Sequence, residues 1–206
     1  MNKSVMLSIH PNWCERIIRG YKTIEVRKTK PKLETPFKCY IYCTKNRLAL
    51  LRDDEDKEEQ YKFDVWKHAG FHESFGRKVL NGKVIGEFVC DYIIPISITY
   101  SDPESRLAQK EFPYTCLTDK DIINYLGNGK QGYGWHIYSI KIYNTPKELS
   151  EFYQLCRIYD SPNEACGDCA YLYKDESVFI CKCDGEKPME RPPQSWCYVR
   201  KVGDRE

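Results

Sequence analysis

Apolar residues recur at every second position in several short stretches of this chain, and that period constrains the fold more than any other feature. Val5, Leu7 and Ile9 share one side of the first stretch. In the second, Ile24 and Val26 stand opposite Thr23, Glu25 and Arg27, and in the third, from Phe37 to Thr44, Cys39, Ile41 and Cys43 stand opposite Tyr40 and Tyr42. A period of two belongs to β-strands. Further strands are expected over Lys83 to Ile98, with Gly86 marking a bulge and Pro95 an edge or end, and over the aromatic, β-branched run Tyr133 to Tyr143.

Three helices carry start signals. Pro11 opens one whose apolar positions Trp13, Ile17 and Ile18 share a face, with Gly20 as its stop. Thr118, with Asp121 three residues on, caps a helix over Asp119 to Leu126, and Thr145-Pro146-Lys147-Glu148 combines a cap, a first-position proline and a capping-box glutamate. The acidic run Asp53 to Glu59 reads as an exposed loop or helix face. The stretch around Trp66, His68, Phe71, His72 and Phe75 reads as a short helix with a lid-like loop. The Gly-rich segment Gly127 to Gly134 lacks the Gly-Lys-Ser/Thr ending of a phosphate-binding loop and reads as a connection. Short strands without regular strand–helix alternation predict an α+β fold, a small barrel or curved sheet.

No apolar run approaches the roughly 18 residues that cross a bilayer, and the first residues lack a secretory signal, so a cytoplasmic protein with no membrane partner is expected. A net charge of +2 conceals an asymmetry. Residues 1–52 carry twelve Lys or Arg against three acids, and residues 53–64 carry seven acids against two lysines. A basic N-terminal third suits a polyanion, since neutralising phosphates releases counterions. A solvated face cancelled by the acidic segment, or a docking face for an acidic protein, accounts for the same pattern.

The most informative segment is Gly20-Tyr21-Lys22-Thr23-Ile24-Glu25-Val26-Arg27. Gly20 permits a tight helix end, Lys22 projects from the turn, and Glu25 and Arg27 lie two apart on one strand face, roughly 7 Å between their Cα atoms. Lys22 and Arg27 suit a phosphate, and Glu25 suits hydrogen-bond donors of a base. A surface ion-pair ladder is the plainer alternative.

Gly20-x-Lys22-x-x-Glu25-x-Arg27 after a strand and short helix resembles the signature of the ASCH domain, a branch of the PUA-like β-barrel superfamily. Gly134-Trp135-His136-Ile137 running through Ile140-Lys141-Ile142-Tyr143 to Phe152 is similar to the closing strand and helix of those domains. The resemblance spans about residues 4–154 and implies an ASCH domain over 1–156, a PUA-like barrel with flanking helices. It further implies a cleft for RNA or a modified nucleoside or nucleotide, lined by Lys22, Thr23, Glu25 and Arg27, with Trp135 and Trp13 as base-stacking candidates. Some small ASCH-like proteins are amidohydrolases acting on N4-acetylcytidine, using a lysine, a threonine and a distant glutamate. Lys22 matches that lysine, but Glu25 occupies the threonine position, so an alkoxide mechanism does not transfer. Lys22 and Glu25 as an acid–base pair acting on water keep hydrolysis open. Ribonuclease activity, with His10, His68, His72 or His136 in acid–base roles, is the other enzymatic alternative.

Eleven cysteines, an odd number without an export signal, argue against a disulfide framework. Cys39, Cys43 and Cys90 lie in strand-like runs as small hydrophobes. Five others crowd residues 157–206, a Cys-rich module resembling the C-termini of some phage and bacterial ASCH proteins. There Cys166-Gly167-Asp168-Cys169 is followed by Cys181 and Cys197, a spacing that suits a structural Zn2+. Cys183 competes with Cys181 for the third place. An iron–sulfur site or reduced, metal-free thiols remain alternatives.

Overall fold

In a computed structural model the chain is described over residues 3–53, 62–66, 77–98, 112–155, 172–175, 178–181 and 188–201. The N-terminal half holds β1 (Ser4–Ile9), α1 (Pro11–Ile18), β2 (Ile24–Arg27), β3 (Phe37–Cys43), β4 (Ala49–Asp53), β5 (Lys62–Trp66), β6 (Arg77–Val79), β7 (Val84–Cys90) and β8 (Ile93–Ile96). After a 3-10 turn at Phe112–Thr115 come α2 (Asp119–Leu126), β9 (Gly132–His136), β10 (Tyr138–Lys147), a second 3-10 turn (Leu149–Glu151), β11 (Phe152–Gln154), β12 (Leu172–Asp175), β13 (Val178–Cys181) and β14 (Trp196–Lys201). No helix among the described residues is long and apolar enough to cross a membrane.

The principal sheet has six strands in the order β10-β7-β3-β1-β14-β11. β1 and β3 run parallel, joined through α1 and β2, and β14 lies antiparallel against β1. Alternation explains why these strands are central, because both of their faces are apolar. Val5, Leu7, Cys39, Ile41, Trp196 and Tyr198 enter one core, while Met6, Tyr40, Tyr42, Cys197 and Val199 enter another on the opposite face.

A second sheet, β2-β9-β8, closes over the first core through Trp135 and turns Ile24, Val26 and Ile96 toward Ile122, Ile123 and Leu126 of α2. The expected α2 forms as read, with Thr118 Oγ1 accepting from Asp121 N and Asp121 Oδ2 accepting from Thr118 N. Helix α1 ends at Gly20, whose φ of +75° is cheap for glycine.

Several expectations are corrected. Among the described residues the sheet stays open rather than closing into a barrel. The expected strand over Lys83 to Ile98 splits at Asp91 and Tyr92 into β7 and β8, which belong to different sheets, with Pro95 on an edge strand. The expected helix at Thr145-Pro146 does not form. β10 continues to Lys147, and the capping box shifts to Glu148 and Glu151 around a single 3-10 turn. Phe152, fully buried, is drawn into pairing with β14 at Lys201. Trp66 lies in a strand, whereas His68, Phe71, His72 and Phe75 fall outside the described residues.

The last strand, which lies within the Cys-rich stretch 157–206, joins the main sheet. β14 sits between β1 and β11, and its apolar faces carry it into the middle of that sheet.

Gly86 sits at the bulge where β3 slips register, pairing with Ile41 while Tyr42 already pairs with Val84. A Cβ there would lie 2.5 Å from Lys141 O, a backbone atom of the neighbouring strand. Gly86→Ala is therefore expected to destabilise the fold by about 1–3 kcal/mol, read from the urea unfolding midpoint.

Candidate functional site

The period of two along β2 places Glu25 and Arg27 on the face opposite Ile24 and Val26. That face looks inward, because Glu25 pairs across the ladder with Trp135, itself in the first core. The motif therefore forms a buried cluster and not a surface ladder. Lys22, Glu25 and Arg27 are 2%, 7% and 6% exposed.

The three heads converge. Arg27 Nη2 donates to Glu25 Oε1 at 3.0 Å and to Ser8 O at 2.8 Å, and Arg27 Nη1 approaches Ser195 Oγ and O at 3.3 and 3.4 Å. Lys22 Nζ donates to Ile24 O at 2.8 Å and Thr115 O at 2.7 Å, lies 3.3 Å from Glu25 Oε2, and stands 5.4 Å from the centre of the Trp13 ring. Two cations share one carboxylate away from water, an arrangement whose desolvation is offset only while every partner is present. Cys14 lies beside them. Burial first, then its hydrogen bond with Cys43, pushes this thiol well above its ordinary value, with Glu25 adding to the rise and Arg27 opposing it.

Three buried polar atoms on this face accept or donate no hydrogen bond among the described residues: Glu25 Oε2, Arg27 Nε and Trp135 Nε1. Oε2 is near Lys22 Nζ but outside hydrogen-bonding geometry. One acceptor and two donors are thus left on neighbouring positions of β2 and β9, and buried groups of this kind are rare without a ligand, a water or a strain to explain them.

The other expected residues are distributed differently. Trp135 is fully buried, edge-on to Phe37 at 5.7 Å and against Trp196 at 5.8 Å, so it offers its N–H rather than an open stacking face. Thr23 is half-buried and spends its backbone, its N–H on Tyr114 O and its carbonyl on Ile137 N. Trp13 is half-buried beneath Arg16 and Lys22. His10 bonds Asn46, and His136 is held by Asp91 at 2.6 Å and stacks on Tyr92. Ser8, Thr115 and Ser195 complete the cluster through backbone carbonyls and one hydroxyl, contacts that no local motif announces.

Cys197 lies opposite Met6 in the main sheet, 1% exposed within the second core. Cys166, Cys169 and Cys183 fall outside the described residues, among which no group of three or more metal-ligating side chains occurs.

No family profile matches the sequence, and no curated protein matches it. Among solved structures the chain is similar to ASCH from Zymomonas mobilis, with 14% identity, a TM-score of 0.46, and coverage of 87% of this chain and 89% of that one. It is similar also to a tyrosine-to-phenylalanine variant of that protein, at 13% identity, TM-score 0.47 and 88% and 92% coverage. A serine-to-alanine variant gives 15%, 0.46, and 72% and 75%.

Glu25→Ala strands two buried cations and is expected to cost about 3–5 kcal/mol in a chemical denaturation experiment. Glu25→Gln, which keeps an acceptor for Arg27, is expected to cost less.

Proposed function

We propose that this chain is an ASCH-like, PUA-type binding protein in which the inner face of β2 and β9 receives a nucleobase, from RNA or from a modified nucleoside or nucleotide. The observation that carries the reading is the trio of buried atoms without a hydrogen bond: an acceptor at Glu25 Oε2, which has Lys22 Nζ at 3.3 Å, beside donors at Arg27 Nε and Trp135 Nε1. A base edge presents donors and acceptors side by side in one plane and complements such a set. Glu25 keeps 9% of its side chain accessible, and a base would reach the buried atoms from that side as the cluster parts to admit it.

Binding fits better than turnover. The hydrolytic alternative needs a group free to exchange a proton with substrate, and Lys22 spends two of its N–H groups on backbone carbonyls while facing Glu25. In this reading Lys22 positions Glu25, and Glu25 contacts the ligand.

The tail is read as a zinc-stapled hairpin. The antiparallel register sets residue 172 beside residue 181, and Cys169 precedes Leu172 by three positions in sequence. Cys166, Cys169, Cys181 and Cys183 are the proposed ligands, since Cys197 packs within the sheet. The ion would cross-link a segment too small to build its own core. Metal analysis of the purified chain is expected to find about one zinc, lost in Cys169→Ser and kept in Cys197→Ala.

Titration calorimetry with cytidine, N4-acetylcytidine, uridine and adenosine tests the base site. At least one nucleoside is expected to bind, and Glu25→Gln to weaken it by about tenfold or more. Silence from all four on folded protein overturns the reading. Conversion of the acetylated nucleoside, abolished by Lys22→Ala, replaces it with hydrolysis.

A further inference from the structure

Past Arg27 the chain leaves β2 in a segment fastened to the core, since Trp196 Nε1 donates to Thr29 Oγ1 at 3.0 Å and Lys32 N donates to the Tyr198 hydroxyl at 2.7 Å. Two lysines of this segment stand over tyrosine rings, one on α2 and one on β9, at the edge where the two faces of the small sheet meet. Lys28 Nζ stands 5.2 Å from the centre of Tyr125 on α2, and Lys30 Nζ 5.5 Å from the centre of Tyr133 on β9. Both lysines are exposed and neither has an ion-pair partner among the described residues. Tyr125 is 37% exposed.

This corner adjoins the base site along the same ladder. Tyr133 pairs with Arg27, two positions from the Glu25–Trp135 pair. Lys28 and Lys30 stand two positions apart in the bend that follows β2, so two ammonium groups, each on an aromatic face, repeat at a short interval on a fixed segment. Cations without counter-carboxylates suit phosphates, and an exposed ring suits a base. A polymer that alternates the two is a single-stranded nucleic acid. A duplex keeps its bases stacked inside and offers none to a tyrosine.

Resting on the base-site reading above, we propose that single-stranded RNA leaving the Glu25 site runs over the Lys28/Tyr125 and Lys30/Tyr133 corner, with phosphates on the two ammonium groups and a base on the Tyr125 ring.

The test is fluorescence anisotropy of a labelled single-stranded RNA of about eight nucleotides, measured at several salt concentrations, beside calorimetry of a mononucleoside. The Lys28→Ala/Lys30→Ala protein is expected to bind the RNA about tenfold more weakly and to flatten the slope of log K against log salt by about 1.4, that is about 0.7 per lysine. Mononucleoside binding, which does not involve these lysines, stays unchanged. Tyr125→Leu is expected to weaken the RNA without changing the slope. Unaltered RNA affinity and slope in the double variant overturn the proposal, as does a duplex of equal length binding as tightly as the single strand. Failure of the base site reads differently: the unmodified protein then binds no nucleoside, whatever the lysine variants do to RNA.

Discussion

A carboxylate held between two cations inside the protein is the constraint from which the rest follows. Glu25 is shared by Lys22 and Arg27 with all three more than nine-tenths buried. Groups so desolvated stay charged only with their partners in place, and this fixes the surroundings: the Phe112–Thr115 turn must supply Thr115 O to Lys22, and β1 must supply Ser8 O to Arg27. The cluster thereby ties the small sheet, the large sheet and the segment before β14 to one point. Such a knot adds little net stability over an apolar packing of the same volume. What it leaves is a carboxylate oxygen and two N–H groups at fixed positions with no hydrogen bond among the described residues.

Much of the fold was legible because local rules agree with the tertiary outcome. Pro11 and Gly20 bracket α1, Thr118 and Asp121 box α2, and the period of two in Phe37 to Cys43 survives as two opposite cores. Legibility failed where long-range packing outweighs a local signal. The Thr145-Pro146 signature competes with the sheet, and pairing of Tyr138, Lys141 and Ile142 with β7 carries the strand through it. Within the Cys-rich stretch 157–206, Trp196, Tyr198 and Val199 supply apolar side chains to both faces and give β14 a central place in the sheet, which cysteine spacing does not announce.

The site was half legible. Spacing in β2 correctly puts Glu25 and Arg27 together and brings Lys22 to them. It carries no information on which way that face turns, because burial depends on what closes over it. Trp135 shows the cost: an indole chosen for stacking is sealed between Phe37 and Trp196. Ser8 and Ser195 escaped notice because their contributions are chiefly carbonyl oxygens, which every residue possesses, so sequence distinguishes them from nothing.

The strand order has a consequence for biosynthesis. β14 lies between β1 and β11, so an interior position of the sheet is filled from the far end of the described chain. While the ribosome is still making residue 195, β1 has emerged but has β3 alone to pair with, and its other edge is open. Arg27 meanwhile lacks Ser195. The nascent chain thus waits with an exposed, apolar strand edge that a holding chaperone is suited to cover until β14 has emerged from the ribosome.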